Sequence, residues 1–356
     1  MFRVAVIGGG AFGTAMACVL SRRGHQVALW AREPDVVDAI NREHSNPLFL
    51  RGVQLSPGIV AYGDFASVTR DAQFVLLAPP AQHTRSVTTQ LRPFLPEGVP
   101  VVTCSKGLER GSSALMSQVI AETLPAAPCA VLSGPSFAAD IAVDRPAGVT
   151  LACADPVLGE RLAREIGNPR FHVYQSDDLI GAQISGVMKN VMAIACGIVT
   201  GKKLGDSMRA MLVARGLAET VDLGLTLGAR LETFLGLCGF GDIDLSCNSP
   251  QSRNMSLGIA LGEGRRLADV LGERITVQEG VFSAGAVVAL AGRLGLDMPI
   301  ARMTDQILNH GADPDQKIAE LLALPFGVER AVVPWLRRGQ ASQPASTAAQ
   351  QFEPGQ

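Results

Sequence analysis

A glycine turn, a lysine inside an uncharged helix and a basic helix start are the parts of this chain whose residue types and spacing suit chemistry. The turn is Gly8-Gly9-Gly10-Ala11-Phe12-Gly13, placed between Val4-Ala5-Val6-Ile7 and Thr14-Ala15-Met16-Ala17. Gly8 makes the tight turn, Gly10 lets backbone approach a pyrophosphate, and Gly13 permits close helix–strand packing. The helix start offers unpaired N–H groups and a positive dipole end, so a dinucleotide is the expected guest. Lys189-Asn190 lies in the nearly uncharged stretch from about Leu179 to Gly201, with Ser185, Gly186, Met192 and Ala193 as helical neighbours. Desolvation lowers a lysine pKa toward the range of a general base. The alternative is a side chain that snorkels to the surface along its apolar stem. Gln251-Ser252-Arg253-Asn254 opens another helical run and supplies a hydroxyl, a guanidinium fork and an amide. That set binds phosphate if it lies at a helix N-terminus; otherwise it is an ordinary helix start.

These groups need elements to position them. The helix after the turn is expected to stop near Gly24, and Gln26–Ala31 reads as a second strand, completing one βαβ unit. The usual fingerprint places an acid at the end of that strand; here Arg32 comes first and Glu33 follows. Arginine suits a 2′-phosphate, which favours NADP(H), while Glu33 keeps NAD(H) open; the alternative is that Arg32 is a solvated loop charge. Further apolar runs at 73–78, 100–104 and 129–133 predict a parallel, doubly wound sheet, with 147–153 and 171–174 as added edge strands. Two strand ends lead into Ser105-Lys106-Gly107-Leu108 and Ser133-Gly134-Pro135-Ser136-Phe137-Ala138. Ligands of open α/β sheets bind beyond such ends, so both loops are expected to border the cofactor. From about Asp177 the pattern changes to long helices. The predicted fold is therefore an α/β Rossmann-like doubly wound domain over residues 1–180 and an all-α domain over 181–330. A Gln-, Ala-, Ser- and Pro-rich tail at 331–356 is expected to be disordered. Within the helical part, Gly239-Phe240-Gly241-Asp242-Ile243-Asp244 is a candidate loop, and Val277-Gln278-Glu279-Gly280 is either a helix cap or a cofactor contact.

Composition bounds the partners. With 356 residues, 47% of them hydrophobic, and a net charge of −2, the chain can bury a full core and gives no reason to expect nucleic acid or an acidic membrane. Seven scattered cysteines without a C-x-x-C pair read as buried thiols in a reducing compartment, and five histidines without ligand spacing argue against a metal. The first strand leaves no room for a signal peptide, and no apolar run is expected to reach the ~18 residues needed to cross a bilayer. A cytoplasmic protein is the expectation.

Taken together, GGGAFGTA, CSKGLE, SGPSFA, GVMKNVMAIACGI, ARGLAE, GFGDIDLSC, QSRN and QEG occur here in a fixed order. In these motifs the chain resembles the NAD(P)-dependent sn-glycerol-3-phosphate dehydrogenases of the bacterial, soluble type, over residues 2–330. The resemblance implies that Lys189 takes the proton from the secondary hydroxyl as hydride leaves for the nicotinamide. It puts Lys106, Gly134, Ser136, Lys189, Asp242, Ser252, Arg253 and Asn254 on the substrate, with Arg253 and Asn254 on the phosphate and Asp242 orienting hydroxyls or Lys189. It puts Ala11, Phe12, Arg32, Lys106, Ala138, Arg253, Val277 and Glu279 on the cofactor, beside the turn glycines. A homodimer and a role in phospholipid synthesis are likewise implied by resemblance only. Ala11 stands where many members have Ser, and a backbone N–H still makes that contact. The stretch from Gly201 to Met208 carries Lys202 and Lys203 in place of glycine-rich sequence; these lysines either add positive potential near the phosphate or form a solvated loop, and the loop is favoured. Two other classes share features: a β-hydroxyacid or ketopantoate dehydrogenase, which would lack GPSFA and QSRN, and a non-catalytic NADP(H) sensor, which would not need Lys189, Asp242 and Arg253 together.

Overall fold

Alternate residues of the first strand feed two different cores, which is what a sheet covered on both faces requires. In a computed structural model, which describes residues 2–273 and 279–324, Val4 and Val6 pack with Met16, Val19 and Leu20 on one face, and Ala5 and Ile7 pack with Val87 and Leu91 on the other. All four strand residues are fully buried, and each such Val or Ile contributes about 1.5–3 kcal/mol relative to exposure. The strands are β1 (Arg3–Ile7), β2 (Gln26–Trp30), β3 (Ile59–Tyr62), β4 (Val75–Leu77), β5 (Val101–Thr103), β6 (Cys129–Ser133), β7 (Ala147–Cys153) and β8 (Phe171–Ser176), in the order β3-β2-β1-β4-β5-β6-β7-β8. From β3 through β6 every pairing is parallel, and Ile7, Leu77, Thr103 and Val131 stand in one register row. The loops after β1, β4, β5 and β6 therefore leave from one edge of the sheet.

Two details depart from the expected strands. β3 is an edge strand beyond those expected: its run Ile59-Val60-Ala61-Tyr62 is apolar throughout but only four residues long, with Ile59 and Ala61 buried and Val60 facing outward. β7 runs antiparallel to β6. The intervening helix Ala138–Ala142 has 5 residues, about 7.5 Å of rise, too short to return the chain along a strand of about 17 Å.

After Ser176 the described residues contain helices and no strand. The central one, Leu179–Gly201, is capped by Asp178, whose carboxylate accepts from Gly181 N at 2.8 Å, from Arg230 N at 2.9 Å and from the Thr233 hydroxyl at 2.7 Å. Contrary to the expectation from apolar runs, this helix is long and apolar enough to cross a membrane, with mean hydropathy 1.4 over 23 residues; 83% of its most apolar window is buried inside the protein, so its character belongs to the core. Gly197 and Gly201 cross Gly258 and Gly262 of helix Arg253–Gly262 with Cα atoms about 2.9–3.0 Å from where a Cβ would stand, and any Cβ would overlap the facing carbonyls. Backbone contact of that kind requires glycine on both helices. It fixes the start of the second helix relative to the middle of the first. Six of the seven cysteines are buried, and Cys129 is half-buried. The expectations for Val277 and for residues 331–356 lie outside the described residues.

Candidate active site

The glycine turn is sterically determined. Gly8 has φ +122°, and a Cβ there would come within 2.8 Å of the Ala78 carbonyl; a Cβ on Gly13 would overlap the Gly8 carbonyl. Gly10 has open space where its Cβ would be, so the turn backbone is accessible at the start of helix Ala11–Arg22. Ala11 and Phe12 form the half-buried first turn. The turn is braced from behind by Asn46, whose amide donates to Gly9 O at 2.9 Å and to Thr14 Oγ1 at 2.8 Å. A cavity of about 430 Å³ between Ser45 and Gly52 lies beside that brace. At the end of β2, Arg32 donates through Nε and Nη2 to one carboxylate oxygen of Glu33, at 3.0 and 2.7 Å.

The second group of predicted residues converges on Asp242. Helix Asp242–Asn248 points Asp242, Ile243, Ser246 and Cys247 inward, and the Asp242 carboxylate is 1% exposed. One of its oxygens pairs with the Lys106 ammonium, which also donates to Gly134 O at 3.1 Å. The other oxygen lies 3.4 Å from the Lys189 ammonium, which donates to Ser246 Oγ at 3.1 Å. Lys189 is the single residue between Gly181 and Val199 that keeps partial exposure. Burial pushes the Lys189 ammonium below its ordinary pKa, with Lys106 and Arg253 adding to the effect and Asp242 opposing it. Burial alone would raise the Asp242 carboxyl, but Lys106 and Lys189 together hold it below the usual carboxylate range. The arrangement is a fixed anion shared by two ammoniums, one of them poised to give up a proton.

Ser252 caps helix Arg253–Gly262, its hydroxyl accepting from Met255 N at 3.3 Å. Arg253 and Asn254 thus occupy the first turn of that helix, as the phosphate-binding reading requires. Asn254 donates to Asn190 Oδ1 at 2.8 Å, and Asn190 in turn donates to Lys106 O at 3.1 Å, which joins the helix start to the lysine loop. Burial lowers the Arg253 pKa, against the attraction of Glu279. Glu279 begins helix Glu279–Leu294 and accepts from Ala81 N at 2.9 Å, beyond β4; burial raises its pKa, opposed by that bond and by Arg253. Ser136 donates to Gly134 O at 3.2 Å, and Ala138 opens the short helix after it, both half-buried.

Lys106, Gly134, Lys189 and Asp242 are thus joined directly, and Asn254 is joined through Asn190. Arg32 stands apart at the end of β2. Lys202 pairs with Asp315 at 2.6 Å, in keeping with the loop reading, and Asp244 accepts from Asn248 Nδ2 at 2.7 Å on the exposed side. Ser246 and Asn46 complete the constellation without having been singled out from sequence, and Asn190, noted there beside Lys189, gains its role as the link to Asn254 and Lys106. Buried oxygens of Ser133, Asn254 (Oδ1) and Glu279 (Oε2) have no hydrogen-bond partner among the described residues. Unpaired polar oxygens there, and the open backbone at Gly10 of the glycine turn, fit a polar ligand that spans from one to the other.

Comparison with known proteins shows the family and the fold. The family model described as "NAD-dependent glycerol-3-phosphate dehydrogenase N-terminus" matches residues 3–158, and the one described as the C-terminus of the same enzyme matches residues 178–319. A glycerol-3-phosphate dehydrogenase [NAD(P)+] of Parvibaculum lavamentivorans is 52% identical over 92% of this chain and 98% of its own length. The protein of that name from Rhodospirillum rubrum is 53% identical over 92% and 93%. A crystal structure of glycerol-3-phosphate dehydrogenase from Coxiella burnetii superposes with TM-score 0.87 at 36% identity, covering 90% of this chain and 99% of that one.

Proposed function

The chain belongs to the NAD-dependent glycerol-3-phosphate dehydrogenase family, and from that premise we propose that it interconverts dihydroxyacetone phosphate and sn-glycerol 3-phosphate with NADP(H) preferred and NAD(H) accepted. The observation that carries the reading is the Asp242 carboxylate held between Lys106 and Lys189. When bound, the dinucleotide supplies the hydride to the carbonyl carbon of the triose phosphate. Lys189 Nζ gives its proton to the carbonyl oxygen in that direction and takes it back in the other. Its lowered pKa makes both protonation states accessible. Asp242 holds Lys189 in place and keeps the second ammonium, Lys106, aimed at the substrate oxygens. Gly134 and Ser136 border the same loop. Ser252, Arg253 and Asn254 hold the phosphate at their helix start, and this remote binding positions the reacting carbon. Gly8, Gly10, Ala11, Phe12 and Gly13 hold the pyrophosphate, Arg32 the 2′-phosphate, and Lys106, Ala138, Arg253, Val277 and Glu279 border the rest of the cofactor. In this reading residues 1–180 carry the dinucleotide and 181–330 the substrate, and the enzyme works as a homodimer in the cytoplasm, supplying glycerol phosphate for phospholipids.

The test follows nicotinamide absorbance with dihydroxyacetone phosphate against a panel of 2-keto acids. Turnover of the triose phosphate alone is expected, with Lys189→Ala reducing kcat by about 10²- to 10⁴-fold. Absence of turnover by the wild type would overturn the assigned reaction, and an undiminished variant would overturn the role of Lys189.

A further inference from the structure

We propose that Glu33 sets the cofactor selectivity of this chain by competing with a 2′-phosphate for the Arg32 guanidinium. The inference rests on the reading of Arg32 as the 2′-phosphate partner. Both residues follow β2 where it touches the glycine turn: Gly8 N donates to Trp30 O at 3.0 Å, and a Cβ on Gly9 would meet the Ala31 methyl at 2.6 Å. A dinucleotide whose pyrophosphate lies on that turn presents its adenosine ribose to the end of this strand.

Here Arg32 spends two N–H groups on one oxygen of Glu33. The arginine side chain is 74% exposed and the glutamate 29%, so the guanidinium is the more solvent-exposed partner of the pair. Glu33 is also the N-cap residue of helix Pro34–Glu43, yet its side chain makes no capping bond. Arg32 is its sole side-chain partner among the described residues. The carboxylate therefore has no local structural duty that its replacement would disturb.

The two cofactors meet this pair differently. A ribose with a free 2′-hydroxyl can donate to the second carboxylate oxygen of Glu33 while Arg32 keeps its bonds to the first. A 2′-phosphate must draw Arg32 away and then stands next to the vacated carboxylate, a like charge. Glu33 thus weakens the phosphorylated ligand on two counts and favours the unphosphorylated one. Both charges face solvent, so each effect is modest, about three- to fivefold in Kd.

Calorimetric titration of the intact chain with adenosine 2′,5′-bisphosphate, 5′-AMP, NADPH and NADH tests this without substrate or turnover, and so independently of the reaction assigned above. Glu33→Gln should tighten the bisphosphate and NADPH and weaken 5′-AMP and NADH, moving the preference by about tenfold toward the 2′-phosphate. Arg32→Ala should move it the opposite way, and adding Glu33→Gln to Arg32→Ala should recover only the part due to the carboxylate's own charge, about three- to fivefold, and not the part due to competition for the guanidinium. If Glu33→Gln leaves the ratio within about twofold while Arg32→Ala collapses it, the competition is refuted and the reading of Arg32 stands. If neither variant moves it, both are refuted.

Discussion

Replacing Asp242 by Asn removes one charge from a site that holds two ammoniums, and the consequence for Lys189 has a definite sign. The carboxylate oxygen lies 3.4 Å from Lys189 Nζ, which at an effective dielectric constant of about 20 corresponds to an attraction of about 5 kcal/mol. Asp242 is the group that raises the Lys189 pKa; burial, Lys106 and Arg253 all lower it. Without the anion the lysine loses its proton at lower pH. For glycerol phosphate oxidation Lys189 must start neutral, so kcat/KM rises as pH rises through its pKa, and in Asp242→Asn that limb moves to lower pH. Retention of only a quarter of the attraction in the solvated site, about 1.2 kcal/mol, would displace the limb by about 0.9 pH unit. For reduction Lys189 must start protonated, so the fall in rate on the alkaline side begins earlier by the same amount. Lys106→Met tests the same electrostatics with opposite sign, because it removes a repelling ammonium and leaves Asp242 to Lys189 alone. Both profiles are read from nicotinamide absorbance across pH, with thermal melts to verify folding, since uncoupling a buried pair costs about 3–5 kcal/mol. A limb that stays in place in Asp242→Asn, or that moves in the same direction in both variants, would refute the reasoning.

Arg253→Ala should lower kcat/KM for dihydroxyacetone phosphate by about 10- to 100-fold, the loss of a charged hydrogen-bonding group, and lower any turnover of unphosphorylated dihydroxyacetone by much less. Equal losses on both substrates would show that Arg253 does not act on the phosphate. Away from the site, Glu219 is buried and its carboxyl accepts from Ile300 N at 2.8 Å and Ala301 N at 3.2 Å, at the start of helix Pro299–Asn309. Burial outweighs those bonds and raises its pKa from 4.5 to about 7. A raised carboxyl contributes stability that is fully present below 4.5 and is lost as pH climbs to about 7, so the wild type should lose up to about 3 kcal/mol over that window relative to Glu219→Gln. Denaturant titrations of both proteins at pH 4.5 and pH 8 measure the difference, and parallel stability curves would contradict it.

The parts of this molecule that sequence reveals are those with a local cause. Gly8 and Gly13 announce themselves because the steric conflict each avoids lies within the same turn and the adjacent strand end. Lys189 is conspicuous because an ammonium in an apolar helix has few ordinary explanations, and Arg253 because it follows a serine cap. The loops after β5 and β6 were readable once the sheet was parallel, since parallel order alone brings their ends to one edge. What joins these pieces is not local. The link from Asn254 through Asn190 to Lys106 spans 64 and then 84 residues of chain, and it depends on a backbone crossing at Gly197, Gly201, Gly258 and Gly262. The brace by Asn46 on the glycine turn reaches back across 37 residues and carries no sequence signal at all.

Ser246 is the instructive case, because its signal was present in the helix phase. Asp242 and Asp244 stand two positions apart in Gly239-Phe240-Gly241-Asp242-Ile243-Asp244, and composition gives no ground for choosing the acid that does chemistry. At 100° per residue they point to nearly opposite sides of a helix, whereas positions 242 and 246 differ by only about 40°. Ile243 and Cys247, four apart, are the apolar pair that must face the core, and both are fully buried. Their phase turns Asp242 and Ser246 inward beside them, onto Lys189, and sends Asp244 out to Asn248. The same burial that selects Asp242 also makes its charge necessary: an ammonium deprived of water needs a fixed anion to retain a usable proton, and a carboxylate between two ammoniums stays ionised. The apolar residues of this short helix therefore decide which acid meets Lys106 and Lys189, and a substitution that shifted its phase by one position would break that cluster as surely as removal of Asp242.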